Sequence, residues 1–198
     1  MTKIQSVCVF CGSKKGCDPE FVLAAKKLGQ LIGKKGLELI YGGGSIGVMG
    51  VIAEAVASSG GKVNGVMPKF LMDLEIGNKT VGNLTITETM HSRKEKMYEQ
   101  ANAFISLPGG IGTLDETLEV ISWKQLRLHD KPIVLLDSNG YWKELENLIE
   151  KVVFSGFAHE TVRDLFTLVE KPEDVFFALE NVPSVDDEVL TSHLQLNK

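Results

Sequence analysis

"AFISLPGGIGTLDETLEV", residues 103 to 120, passes from a short apolar run through three glycines in four positions into an acidic run with helical spacing. The apolar run reads as a strand, Pro-Gly-Gly as the turn that ends it, and the acidic run as a helix. A strand, a tight turn and a helix make the unit from which parallel sheets are built, because parallel strands can be joined only by a crossover.

The same alternation continues in both directions. "SVCVF" (6–10), "LELIY" (37–41), "KVNGVM" (62–67), "PIVLL" (132–136) and "FTLVE" (166–170) read as further strands. Between them, Asp18 can cap a first helix, Pro19 suits its first position, Leu28, Leu31 and Ile32 form its apolar stripe, and Gly36 can end it. Further helices are expected over 47–59, 90–102, 112–128, 141–154 and 172–181. The pattern predicts an α/β fold, a mostly parallel sheet with helices on both faces. Two stretches break it. Residues 69–83, "KFLMDLEIGNKTVGN", read as a long lid-like loop, and the acidic tail 183–198 reads as a frayed end to one domain spanning 1–182.

The 198 residues, 43% of them hydrophobic, suit one core. Lys and Arg total 21 against 26 Asp and Glu, a net charge of −5, and the basic residues are dispersed, which argues against a nucleic-acid polymer or an anionic membrane as partner. "MTKIQSVCVFCGS" lacks the long apolar core of a leader, and no apolar run reaches the roughly 20 residues of a membrane span, so a cytoplasmic protein is expected. Cys8, Cys11 and Cys17 read as reduced thiols: one CxxC without a second pair or a His partner does not make a metal site.

Loops leaving the carboxyl ends of parallel strands line the ligand crevice, and helix starts there present unpaired N–H groups to anions. Gly109, Gly110 and Gly112 let the backbone approach an oxygen-rich group and Thr113 can add a hydroxyl, so a phosphate is the expected ligand. A second loop, "YGGGSIGVMG" (41–50), contains G-x-G-x-x-G as Gly42, Gly44 and Gly47, but the acidic residue that a dinucleotide requires some 20 positions later is missing from "GVMPKF". Neither loop ends in the Gly-Lys-Ser/Thr of a P-loop. The competing reading of both loops is tight strand-to-helix packing alone. Glu116, one turn beyond Gly112, can point a carboxylate toward the crevice. Arg93 and Lys94, in "MHSRKEKM", stand at a helix start, where Arg93 can fork onto a phosphate or hydroxyl pair; the alternative is a solvated helix face. His91 reads as a cap or a partly buried polar residue.

"PGGIGTLDE" (108–116) resembles the P-G-G-x-G-T-x-x-E motif of the LONELY GUY family of cytokinin riboside monophosphate phosphoribohydrolases. "FCGS" (10–13), "YGGGSIGVMG" and "MHSRKEKM" are similar to that family's other signatures, in the same order, and the resemblance covers about residues 4–182. It implies a Rossmann-like homodimer, without redox cofactor or metal, that hydrolyses the N-glycosidic bond of a nucleoside 5′-monophosphate to free base and ribose 5-phosphate. The family's essential Arg and Glu fall on Arg93 and Glu116. Its substrate contacts fall on Glu75, Lys94, the loop Gly109, Gly110, Ile111, Gly112, Thr113, Leu114, Asp115 and Glu116, and Ser122, where many relatives have Thr. Two other readings compete: a nucleotide-binding or carrier module without catalysis, and the "lysine decarboxylase" label often given to the family, which requires pyridoxal phosphate on a Lys such as Lys94.

Overall fold

The computed structural model describes residues 3–74 and 81–183. In chain order the elements are β1 (Ser6–Phe10), α1 (Pro19–Lys34), β2 (Glu38–Tyr41), α2 (Gly47–Ser58), β3 (Lys62–Pro68), α3 (Lys69–Leu74), β4 (Asn83–Thr87), α4 (Met90–Gln100), β5 (Ala103–Ser106), α5 (Ile111–Gln125), β6 (Ile133–Leu136), α6 (Lys143–Phe154), β7 (Thr167–Val169) and α7 (Val175–Glu180). The strands form one sheet in the order β4-β3-β2-β1-β5-β6-β7, and every pairing is parallel.

The two-residue period of the strands divides the core. Val7, Val9, Leu39, Tyr41, Ile105 and Val134 point to one face, where Leu28 and Ile32 of α1, Ile52 of α2 and Leu179 of α7 cover them. Cys8, Phe10, Ile40, Phe104, Ile133 and Leu135 point to the other, under Met97 of α4, Val120 and Ile121 of α5 and Leu145 of α6. With both faces covered, β1, β5 and β6 are buried at every position and read as near-continuous apolar runs instead of alternating. Cys8 and Cys11 fall into opposite halves of this core, and burial pushes both thiols above their ordinary pKa.

The ends of α1 follow the sequence closely. Asp18 accepts the Glu20 N–H at 2.8 Å, and Gly36, at φ +68°, lets Gly36 N–H reach the Gly33 carbonyl and Leu37 N–H the Ile32 carbonyl. Three readings need correction. Residues 69–83 are not one loop: α3 occupies Lys69–Leu74, and β4, starting at Asn83, pairs with β3. β4 is the sheet's edge, only partly buried, so Asn and Thr suffice where an inner strand would need Val or Ile. Second, α5 stops at Gln125, three residues early. Third, the helix expected over 172–181 opens as a single 3₁₀ turn, Pro172–Asp174, before α7. Glu75 and the tail from residue 184 lie outside the described residues.

Successive connections run outward from β1 to β4, then return so that β5 lies beside β1 and the chain continues the other way. A crevice opens at such a reversal, at the carboxyl ends of the two central strands. Here Leu107 N–H bonds the Phe10 carbonyl at 2.9 Å and Gly12 N–H bonds the Pro108 carbonyl at 3.2 Å, fixing the two loops to each other. Among the described residues no helix is long and apolar enough to cross a membrane.

Candidate active site

The two glycine loops meet different fates. After β2, a β-carbon at Gly42 would strike the Arg93 guanidinium, and Gly47, at φ +66°, presses on the backbone of Ser13. The N–H groups of Val48 and Met49 at the start of α2 are taken by the Gly12 carbonyl, at 3.0 and 3.3 Å. Two N–H groups of this helix start are therefore already taken, and packing accounts for glycine at 42 and 47. After β5 the situation reverses. Gly109 packs against Thr113 and Gly12, but a β-carbon at Gly110 or Gly112 would meet nothing within 4 Å, and neither needs a positive φ. Among the described residues no side chain caps α5, and the N–H groups of Thr113 and Leu114 return to the Gly110 carbonyl. Among the described residues nothing takes the N–H groups of Ile111 and Gly112. Packing among the described residues does not account for glycine at 110 and 112, and their bare backbone leaves room for a ligand to approach.

Arg93 is placed by its helix start. Thr89 and Ser92 form a reciprocal capping box on α4, which fixes Arg93 in the first turn. Its Nε donates to the Val66 carbonyl at the end of β3 at 3.0 Å, and Nη1 donates to Glu116 Oε1 at 2.7 Å. Arg93 is 7% exposed and Glu116 8%, so the solvated-face reading of Arg93 is overturned. Glu116 belongs to the inward stripe of α5, Thr113, Glu116, Thr117, Val120, Ile121 and Lys124, six residues or about 9 Å along the axis from Gly110. Burial pushes its carboxyl above the ordinary carboxylate range, while the Arg93 charge works against that rise.

Not every expected residue converges on this pair. Lys94 is bound by Asp115 at 3.2 Å and Glu119 at 2.8 Å, bracing α4 to α5. Ile111 is 81% exposed, Leu114 is half-buried in the core, and Thr113 is buried against the backbone of Gly109. Ser122 sits on the outward side of α5, turned away from Glu116. His91 is exposed and caps nothing, since Thr89 and Ser92 do that work. Sequence reading missed two structural contributors. One is the Val66 carbonyl, a backbone group that no residue pattern announces. The other is Tyr141, whose hydroxyl donates to the Gly109 carbonyl at 2.5 Å. Tyr141 also lines a cleft of about 390 Å³ beside the loop, with Gly12, Lys14, Lys15, Phe21 and Gly110.

Sheet order and crevice together place the chain among the Rossmann-like α/β proteins. In agreement, it superposes on the Moco carrier protein of Chlamydomonas reinhardtii with a TM-score of 0.68 over 90% of this chain and 96% of that one, at 21% identity, a likeness of fold alone. A family model described as "Possible lysine decarboxylase" matches residues 49–179. The "Probable cytokinin riboside 5'-monophosphate phosphoribohydrolase LOGL2" of Oryza sativa subsp. japonica is 42% identical over 190 residues, 96% of this chain and 78% of the rice protein. The "Cytokinin riboside 5'-monophosphate phosphoribohydrolase LOG1" of Arabidopsis thaliana is 45% identical over 190 residues, 92% of this chain and 89% of that protein. The chain belongs to this family, the LONELY GUY phosphoribohydrolases.

Proposed function

We propose that the protein hydrolyses the N-glycosidic bond of nucleoside 5′-monophosphates with an adenine-type base, AMP or a cytokinin riboside 5′-monophosphate, to free base and ribose 5-phosphate. The observation that carries this reading is the buried Arg93–Glu116 pair standing beside an uncapped, glycine-flanked helix start. The phosphate takes the N–H groups of Ile111 and Gly112, and the sugar lies over the pair. As the C1′–N bond breaks, positive charge grows on the ribose. The Glu116 carboxylate stabilises that charge and takes a proton from the attacking water, whose oxygen joins C1′ as the base leaves with the bond's electrons and acquires a proton. Arg93, fixed by Val66, holds phosphate or ribose hydroxyl oxygens and keeps the reacting carbon over the carboxylate.

The site works in a cytoplasmic homodimer. Ile111 and Leu118, at 81% and 40% exposure, recur along the outer side of α5 together with Ser122, and Leu126, the residue that follows the helix, continues the stripe at 55%. A second copy packed antiparallel across this stripe covers it and carries its Ser122 toward the first copy's glycine loop. That arrangement gives Ser122 a route to the substrate.

The decarboxylase reading fits the residues poorly: Lys94 is held as an ammonium between Asp115 and Glu119, the opposite of a free amine poised to form a Schiff base. A carrier without catalysis has no use for a carboxylate buried beside an anion site. Glu116→Gln separates the readings, because it keeps size and hydrogen bonding and removes the charge. We expect base release to fall about 10²-fold or more, with AMP affinity by calorimetry little altered. Near-normal release would reduce Glu116 to a structural partner of Arg93.

A further inference from the structure

The cleft beside the glycine loop has two walls. One is Pro108–Gly110; the other is the β1–α1 loop, which contributes Gly12, Ser13, Lys14, Lys15 and Gly16. This second wall is fixed in place. Gly12 is bonded to Pro108 on one side and to the start of α2 on the other, and Gly16, at φ +75°, lies against the Phe21 ring. Phe21 in turn packs edge-on to Tyr141, with centroids 6.0 Å apart, and Tyr141 holds the Gly109 carbonyl. The loop is thus locked to the glycine loop at several points.

On this wall Lys14 and Lys15 are both exposed, and among the described residues neither has an ion-pair or hydrogen-bond partner. Among the described residues the lining includes no Asp or Glu. Asp18, a few residues on, is already occupied by the Glu20 N–H and by the Asn139 side-chain amide at 2.6 Å. A chain of net charge −5 therefore sets two unneutralised cations opposite the loop assigned to the phosphate. The lining takes in Pro108, Gly109 and Gly110 at the start of the glycine loop but not Ile111, Gly112, Arg93 or Glu116, so the cleft adjoins the phosphoryl end of a nucleotide whose sugar lies over that pair.

We propose that Lys14 and Lys15 are substrate-gripping residues that close on the 5′-phosphate from across the cleft, so that the phosphoryl group is held between two side-chain cations and the N–H groups of the glycine loop. The inference rests on the hydrolase reading for the identity of the ligand. In the division of labour, backbone N–H groups fix the phosphate's position, and the lysines supply the salt-sensitive attraction that favours a dianion over an uncharged hydroxymethyl.

The test is the double variant Lys14→Gln, Lys15→Gln, whose exposed positions leave the core untouched. Expected are a KM for AMP raised about tenfold, a smaller fall in kcat, and a KM that no longer climbs with salt as it does in the unaltered protein. Lys14→Arg, Lys15→Arg should restore most of the affinity. Calorimetry with ribose 5-phosphate reads the same contacts without turnover and should show a matching loss. If KM, its salt dependence and ribose 5-phosphate affinity all stay as they were, the lysines are solvated bystanders and the inference fails. If the protein releases no base from any nucleotide yet loses ribose 5-phosphate affinity in the double variant, the hydrolase reading falls and the phosphate grip stands.

Discussion

Arg93 shows how much of a residue's role lies outside its own neighbourhood in sequence. Position in a helix start, legible from "MHSRKEKM", leaves grip and solvated face equally open. What decides is Val66, 27 residues back, and Glu116, 23 residues on, both bonded to the guanidinium. Gly42 completes the arrangement by leaving room for Nη2. Removing the arginine strands a buried carboxylate, so Arg93→Ala should cost about 3–5 kcal/mol of stability at neutral pH, besides its effect on the substrate. The sign with pH comes from the carboxyl, already displaced upward by burial: as pH falls, Glu116 takes up a proton, the unpaired charge disappears, and the deficit relative to the unaltered protein shrinks. Chemical denaturation at pH 7 and pH 5 checks this. A deficit that is equal at both would mean that Glu116 is not the stranded group.

At the scale of one element, α5 carries both what was legible and what was not. Its start could be read directly, because glycine and proline punctuate and the helix period begins at once. Its end could not. α1 stops at Gly36 in a left-handed conformation, whereas α5 ends with the same pair of backbone bonds built on Arg127 at φ +59°: Arg127 N–H to the Lys124 carbonyl and Leu128 N–H to the Trp123 carbonyl. No glycine marks that stop, so the periodicity runs on past it. The last turn also buries Lys124, 2% exposed, with no hydrogen-bond partner for Nζ among the described residues. Burial pushes its ammonium down to about 8. The unfolded chain then binds the extra proton between that value and the ordinary lysine pKa, so the penalty is full below about pH 8 and fades as pH rises toward the ordinary value. Lys124→Met should raise stability at pH 7 by about 1–3 kcal/mol and flatten this alkaline rise. A destabilised variant in equilibrium unfolding would show that Nζ has a partner after all.

Across the whole molecule, the alternation of apolar runs and helical periods anticipated a parallel sheet covered on both sides, since six of its seven strands are short, apolar and separated by clear helices. β4 escaped because an edge strand can be built of Asn and Thr, and α3 because six residues give too little periodicity to read. The candidate site was legible as motifs, but the pairing of Arg93 with Glu116 and the bonds from the Val48 and Met49 N–H groups to the Gly12 carbonyl depend on the sheet order, which brings the ends of β1, β2, β3 and β5 side by side. The outer stripe of α5 belongs to this scale too: light scattering should give roughly twice the 21.7 kDa chain mass, and a strict monomer at micromolar concentration would leave Ser122 without a substrate to reach.

The claim that joins these scales is that the glycine loop exists to hold a phosphate while the Arg93–Glu116 pair breaks the bond to the base. It is tested most directly by measuring adenine release from AMP and from adenosine at equal concentration by the same preparation. Adenine is expected from AMP at a kcat/KM about 10²-fold or more above that for adenosine. Adenosine cleaved as efficiently as AMP would contradict it, returning Gly110 and Gly112 to positions with no ligand to explain them.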